Sequence, residues 1–383
     1  MRIGIDIRPL LDPTPSGVGE YTEQIVRSLI RLGSDHEFVL FANAFRADEG
    51  KLRLRLDGPR VTWCIRHIPN RLLHGSLWSI RRPALDSFTG PVDCFFMPNW
   101  HFAAFSAAVR RRVLTVHDVT YRRHPQYYSF RRRLWHRLIR ADGLIRSADA
   151  LLAVSEHTKR ELMALFAVPE QRITVTPLAP SALFATVVSH AERAAVRQRY
   201  RLPAHYGLIL ATQEPRKNIE GALMAFDLFA QRYPASDLGI VVAGAAGWQM
   251  GALRRRVSTL VSRARIHFLG YVPSDVRPAL YAGSVFFLSP SFAEGFGLPL
   301  LEAASQGVPV ITSARSAMPS VLGGGALLVD PHDLEQLVEA MEELLADDAL
   351  RQRLVRAGHD RVSQYSWERT AATTLAVLTG EQP

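Results

Sequence analysis

Short apolar runs alternate with amphipathic stretches along the whole chain. Ile3–Ile7, Phe38–Phe41, Val61–Ile65, Val92–Met97, Val113–Val116, Ala150–Val154 and Ile173–Val175 have the length and residue types of buried strands. Between the first two, Val18, Tyr21, Ile25, Leu29 and Leu32 recur at three- and four-residue spacing, which predicts a helix from near Gly17. A loop with Pro9, Pro13, Pro15 and Ser16 precedes it, and residues 45–58 read as loop or short irregular helix. Ser155 reads as the cap of the helix after Val154. The pattern breaks at a polar linker near residues 185–190. It starts again with Leu208–Ala211, Ile240–Gly244, Ile266–Gly270, Val285–Leu288, Val308–Ile311 and Ala326–Val329. Helices are expected at 219–232, 274–282, 333–346 and 348–364, with a last one from Tyr365–Trp367. Repeated strand–helix alternation means α/β architecture with Rossmann-like parallel sheets. The break divides the chain into domains 1–186 and 187–365, with the last helix at 366–380.

The densest chemistry lies in SPSFAEGFGLPLLEAASQGVPV, residues 289–310. A strand leaves into a glycine loop, and Pro299 opens a short helix that ends at Gly307. Free N–H groups at the helix start, near Phe296, Gly297 and Leu298, make an anion site. A carboxylate at Glu294 would repel a ligand that is only anionic, but it accepts hydrogen bonds from hydroxyls. Glu302, placed in the first turn of the helix, reaches a second pair of hydroxyls. Phosphate donors flanked by two hydroxyl acceptors suggest a nucleotide-diphosphate sugar, with Glu294 on the sugar and Glu302 on the ribose.

Two other loops join this picture. EPRKN, residues 214–218, follows a strand end, in a chain whose only lysines are Lys51, Lys159 and Lys217. Arg216 offers a planar fork and Lys217 a point charge, and both suit a diphosphate leaving group. Gly17-Val18-Gly19 is a weaker backbone platform for a phosphate or sugar. Asn99, Trp100 and His101 follow a strand at its carboxyl end, where open α/β sheets bind ligands.

The spacing of Glu294 and Glu302 around Gly-Phe-Gly-Leu-Pro resembles the signature of the retaining family 4 glycosyltransferases, as do PRKN, TVHD at 115–118 and AVSEHTKREL at 153–162. The resemblance covers nearly the whole chain, most strongly residues 206–331 and least residues 45–90. It implies the GT-B fold: two Rossmann-like domains facing a central cleft, an N-terminal acceptor domain, a C-terminal donor domain, and a last helix crossing back to the first domain. It places His117 near the donor sugar, Asp118 with Trp100 and His101 on the acceptor side, Gly17 and Gly19 facing the ligand, and the nucleobase against Tyr271 and Val272. Glu294, His117, Arg216 and Lys217 are then the catalytic candidates. No cofactor and no metal are expected. The strings TVHDVTY and LLAVSEHTKREL are most like bacterial mannosyl- and rhamnosyltransferases of surface-polysaccharide synthesis, which favours GDP-mannose over a UDP-sugar. A nucleotide-sugar isomerase or hydrolase on the same fold, and a non-catalytic polysaccharide-binding assembly protein, stay open as alternatives.

Composition sharpens the partner question. The 383 residues carry a net charge of +10. Residues 1–180 hold 27 Lys and Arg against 17 Asp and Glu, whereas residues 181–383 hold 19 of each. A one-sided basic half points to an anionic partner. Within it, residues 121–147 are arginine-rich, lysine-free and interleaved with Tyr121, Tyr127, Tyr128, Phe130 and Trp135. Phe130, Leu134, Leu138 and Ile139 would line one side of a basic amphipathic helix, a membrane-surface pattern. It equally suits a groove for an anionic acceptor; nucleic acid is not expected, because no recognised module accompanies the charge. No apolar run approaches the ~18–20 residues that span a bilayer. Neither a signal peptide nor a zinc spacing is seen, and Cys64 and Cys94 read as buried free thiols. A cytoplasmic location is expected from these features, with the inner face of the membrane as a contact surface.

Overall fold

The computed structural model describes residues 1–12, 17–43, 50, 56–247 and 250–381. Pro13, Pro15, Ser16, Lys51 and most of the 45–58 stretch lie outside these residues. The chain forms two units, Met1–Leu178 with Ser366–Pro383, and Ala179–Tyr365. The division falls after Leu178, earlier than the boundary expected at residue 186.

In the first unit, β1 (Arg2–Asp6), β2 (Glu37–Asn43), β3 (Val61–Arg66), β4 (Cys94–Met97), β5 (Arg111–Val116), β6 (Ala150–Ala153) and β7 (Ile173–Val175) form one sheet in the order β3-β2-β1-β4-β5-β6-β7. Every pairing is parallel. β1, β2 and β4 are buried on both faces, which is why they read as continuous apolar runs. Helix Gly17–Leu32 buries Tyr21, Ile25, Val26 and Leu29 completely, while Leu32 is exposed. The C-terminal helix Trp367–Thr379 belongs to this unit. Trp367 meets Tyr21 at 5.9 Å between ring centroids, and Arg111 Nε donates to the Val377 carbonyl at 2.7 Å. Cys64 and Cys94 are buried free thiols.

The second unit repeats the plan with β8 (Tyr206–Leu210), β9 (Gly239–Ala243), β10 (Ile266–Gly270), β11 (Phe286–Ser289), β12 (Val310–Ser313) and β13 (Ala326–Val329), in the order β10-β9-β8-β11-β12-β13, all parallel. β12 starts two residues later than the apolar pattern suggests. Pro309 has no N–H to give a ladder, although its carbonyl accepts the Phe287 N–H at 2.9 Å. Helix His190–Tyr200, set by a Ser189–Glu192 capping box, occupies sequence that reads only as a polar linker and its sequel.

Each sheet reverses its winding once. The reversal lies between β1 and β4 in the first unit and between β8 and β11 in the second. At such a point the crossover helices leave on opposite faces, so the loops at the carboxyl ends of the two strands part and leave a crevice for a ligand.

Candidate active site

Arg216 and Lys217 follow β8, and Glu294 follows β11, so all three stand at the carboxyl edge of the second switch point. They reach one another. Arg216 Nη1 donates to Glu294 Oε2 at 3.1 Å, Lys217 Nζ donates to Glu294 Oε1, and Ser291 Oγ donates to Oε1 at 3.0 Å. The loop beneath is tight. Pro215–Lys217 is a single 3-10 turn closed by Asn218 in the left-handed conformation, whose side-chain amide donates to the Pro331 carbonyl at 2.7 Å. The Phe292 N–H binds the Arg216 carbonyl at 2.8 Å, and Arg216 Nε binds Glu214 at 3.0 Å. Two loops from neighbouring strands are thus laced together by backbone and by charge.

Glu294 is largely buried, with 11% of its side chain exposed. Burial alone would raise its carboxyl. Lys217 and Arg216, with the hydrogen bonds from Lys217 and Ser291, outweigh it and hold the group below the usual carboxylate range. Glu294 is therefore ionised at neutral pH and loses its charge only in acid.

Helix Leu298–Ser305 begins directly after this loop. Gly297 is its cap with φ of 99°, a conformation that a Cβ would strain. Gly244, after β9, has φ of 133°, and a Cβ there would lie 2.0 Å from the Ala211 carbonyl oxygen. Only glycine lets the loops after β8 and β9 approach this closely. Phe296 and Leu298 are buried, and Phe296 packs edge-on to Tyr365. Tyr271 is 43% exposed after β10, whereas the Val272 side chain is buried.

Glu302 departs from expectation. It lies in the second turn of its helix, not the first, and is 1% exposed. Tyr281 donates to Oε2 at 2.8 Å and Arg277 to Oε1 at 3.2 Å. Both carboxylate oxygens are engaged within the unit. It ties helix Leu298–Ser305 to helix Arg277–Ala282.

In the first unit, His117 follows β5. Its Nε2 lies 2.9 Å from the Pro98 carbonyl, and its ring meets Tyr21 edge-on at 4.7 Å. A carbonyl only accepts, so Nε2 carries the hydrogen and Nδ1 is the acceptor. Burial lowers the ring's affinity for a second proton, against the opposing pull of the Pro98 carbonyl and Asp118. Asp118 Oδ1 accepts the Thr120 N–H at 2.9 Å. Gly17 is exposed at the start of its helix with nothing among the described residues crowding a Cβ, whereas Gly19 is buried. Trp100 does not stand on an acceptor face: it is 7% exposed, within the core and edge-on to Tyr121 at 5.3 Å. His101, beside it, is held by the Phe102 N–H, which donates to Nδ1 at 3.0 Å.

Sequence reasoning missed Ser291, Glu214, Arg277 and Tyr281. A hydroxyl two residues after β11 and an acid before the PRK turn carry no distinctive spacing. The glycines of Gly244-Ala245-Ala246-Gly247, at a strand end, were a usable signal for the close approach beside Arg216.

Residues 15–179 match the Glycosyltransferase Family 4 model and residues 203–361 the model for glycosyl transferases group 1. The chain is 32% identical over 98% of its length to the O-antigen chain mannosyltransferase B of Escherichia coli, of which 98% is covered. It is 33% identical over 58% of its length to the E. coli serotype-specific mannosyltransferase WbdA, of which the match covers 28%. Solved structures with a similar fold include Anabaena HepE in complex with UDP and glucose (TM-score 0.75, 16% identity, 99% of each chain). Another is WaaG, a glycosyltransferase involved in lipopolysaccharide biosynthesis (TM-score 0.73, 15% identity, 99% of this chain and 100% of that one).

Proposed function

This chain belongs to the family 4 glycosyltransferases and is a hexosyltransferase; from that premise we propose that it moves mannose from GDP-mannose onto a saccharide or lipid-linked saccharide during assembly of a surface polysaccharide. The observation that carries the donor side is the Arg216–Lys217–Glu294 triad at the second switch point. The choice of mannose rests on the similarity to O-antigen mannosyltransferases. A UDP-sugar is the second reading, favoured by the UDP held in the similar HepE structure.

When a nucleotide-diphosphate sugar enters, its phosphates compete with Glu294 for Arg216 and Lys217. The two cations turn to the diphosphate, joined by the free amides at the start of helix Leu298–Ser305. Glu294, relieved of part of its pairing, accepts hydrogen bonds from sugar hydroxyls. As the bond from the anomeric carbon to the diphosphate breaks, negative charge grows on the leaving oxygen, where the cations already stand. Arg216 and Lys217 supply the charge that a divalent ion supplies elsewhere, so turnover needs no metal. The acceptor oxygen attacks from the face the diphosphate leaves, and its proton passes to a leaving phosphate oxygen, which retains the anomeric configuration. His117, neutral with Nδ1 as acceptor, suits a sugar hydroxyl.

Thermal melting with GDP, UDP, ADP and dTDP and their sugar conjugates tests the donor. Binding to the native state raises the midpoint, by about 2.7 kcal/mol of stabilisation at a hundredfold excess over Kd. The expected result is a shift with GDP and GDP-mannose above all others. A shift with UDP alone replaces the donor, and no shift with any nucleotide overturns the reading.

Acceptor delivery involves the membrane surface in this reading. Among the described residues, no helix is long and apolar enough to cross a membrane. Helix Phe130–Leu138 leaves Phe130 72% and Leu134 41% exposed, one turn apart, with Arg131, Arg132, Arg133 and Arg137 exposed beside them. Ile139 is buried and Leu138 half-buried, so the expected four-residue apolar side is divided: one part faces solvent and the other the core. Replacing Arg131, Arg132 and Arg133 together by alanine should weaken binding to anionic liposomes at low salt, by about 1 kcal/mol per arginine near the surface. Unchanged partition in a flotation assay would return the helix to an ordinary solvated surface.

A further inference from the structure

We propose that Asn218 and His332 are positioning residues, through which the loop after β13 holds the two loops of the Arg216–Lys217–Glu294 triad in register. The proposal rests on the diphosphate-clamp reading for what that register serves, and on geometry alone for the register itself.

Residues 330–333 leave β13, the edge strand of the second sheet, and both β12 and β11 stand between it and β8. They nevertheless reach both loops of the triad. Asn218, next to Lys217, donates its side-chain amide to the Pro331 carbonyl at 2.7 Å, across 113 residues of chain. The His332 ring stacks on Phe292, with 4.6 Å between centroids and 27° between planes. Phe292 lies just before Glu294, and its N–H binds the Arg216 carbonyl at 2.8 Å. The three loops thus close a ring of contacts: the third holds each of the other two, and those hold each other.

The third loop is itself fixed. Asp330 Oδ1 accepts the His332 N–H at 3.0 Å, and the Asp330 N–H donates to Gln336 Oε1 at 2.9 Å. Asp333 caps helix Leu334–Ala346 by accepting the N–H groups of Glu335 and Gln336.

Asn218 is built for this contact. Its φ of 52° lies in the left-handed region, which asparagine tolerates better than most residues. It is 6% exposed, and it makes no side-chain cap to helix Ile219–Arg232, which it precedes. Gly221, in the first turn of that helix, leaves room for the amide: a Cβ there would collide with the Asn218 side-chain oxygen. Loss of the amide would leave the Pro331 carbonyl without this donor, at a cost that favours the closed ring. The register matters because charge-assisted contacts are short, and a displacement of about 1 Å at a reacting group costs about 10²-fold in rate.

Carbon-13 NMR of the Glu294 carboxyl in the full chain tests the assignment, its signal identified by its loss in Glu294→Gln. Burial pushes this carboxyl up, while Lys217 and Arg216 pull it down. Cations held less closely therefore let its titration midpoint rise. Asn218→Gly keeps the left-handed turn and removes only the amide, and its Glu294 midpoint should lie above that of the wild type. Gly221→Ala, a change that a helix favours, should raise the midpoint in the same way by displacing the amide. His332→Ala should raise it too, and His332→Phe, which keeps a flat ring, should bring it back. An unmoved midpoint in Asn218→Gly and Gly221→Ala would overturn the proposal, even if their melting temperatures fall, because the contact would then serve stability only. A His332→Phe midpoint no nearer to wild type than that of His332→Ala would overturn it for His332.

Calorimetric titration with GDP reads the consequence for the clamp. Asn218→Gly and Gly221→Ala should each weaken GDP binding by roughly three- to tenfold, as the loss of about one hydrogen bond does. Wild-type affinity in both would overturn the proposal. A wild-type chain that does not bind GDP would sink the donor assignment instead, and the Glu294 midpoints would still decide the positioning role.

Discussion

Replacing Lys217 by alanine lowers turnover by about 10²–10³-fold, the loss typical when one preorganised group facing transition-state charge is removed. The fold should persist. The 3-10 turn that presents Lys217 is held by backbone bonds and by Asn218, neither of which involves the lysine side chain. Glu294 keeps Arg216 and Ser291 as partners. The loss should fall on kcat more than on KM for the donor, because charge on the leaving oxygen is greatest in the transition state. Lys217→Arg should recover little, since a bulky fork does not replace a compact ammonium in an enclosed turn. Initial rates with the donor found by the melting panel decide it, and wild-type turnover in Lys217→Ala would remove the diphosphate clamp from the mechanism.

The second large effect concerns stability. Glu302→Leu should destabilise the Ala179–Tyr365 unit by about 3–5 kcal/mol, because it leaves Arg277 as a buried charge without its carboxylate. Arg277 has 15% of its side chain exposed and Glu302 1%, so water compensates little. Tyr281, fully buried, loses the acceptor for its hydroxyl as well. For a unit of this size each kcal/mol moves the midpoint by about 2–4 °C. The transition of this unit should therefore fall by roughly 6–20 °C in calorimetry. Combining the change with Arg277→Met should restore much of the loss, since an apolar pair can replace a buried ion pair at little cost. A single-variant midpoint within a degree of wild type would show that the pair is not holding the helix start in place.

Both effects have their origin in local sequence, but only part of each is legible there. The strand–loop–helix units that carry Glu294 and Arg216-Lys217 announce themselves. Apolar runs of strand length end in glycine or proline, and polar residues appear where the backbone turns. These are short-range rules, set by steric limits on φ and ψ and by the need to bury apolar surface, so the chain states them directly. The chemistry of each loop follows in the same way: two cations for a diphosphate, one carboxylate for hydroxyls, free amides at a helix start.

What the loops do to one another is a different matter. Lys217 and Glu294 are 77 residues apart, and their pairing depends on β11 lying beside β8, an arrangement no local pattern states. Glu302 looks like an open acid at a helix start; Arg277 and Tyr281, brought against it by a separate helix, enclose it. Trp100 looks like an aromatic at a ligand edge, yet Tyr121 and His136 cover it from a segment whose own pattern suggests only a basic surface. Arg8 is the reverse case: an unremarked residue in the first ten, made conspicuous by a buried nitrogen that meets no partner among the described residues. By itself, then, the sequence determined the two α/β units, the family they resemble and the loops that carry charge. Only the tertiary structure decided which charges meet, which are enclosed and which remain unsatisfied. Those outcomes depend on long-range packing and the water it excludes, and exclusion of water sets the strength of every polar contact.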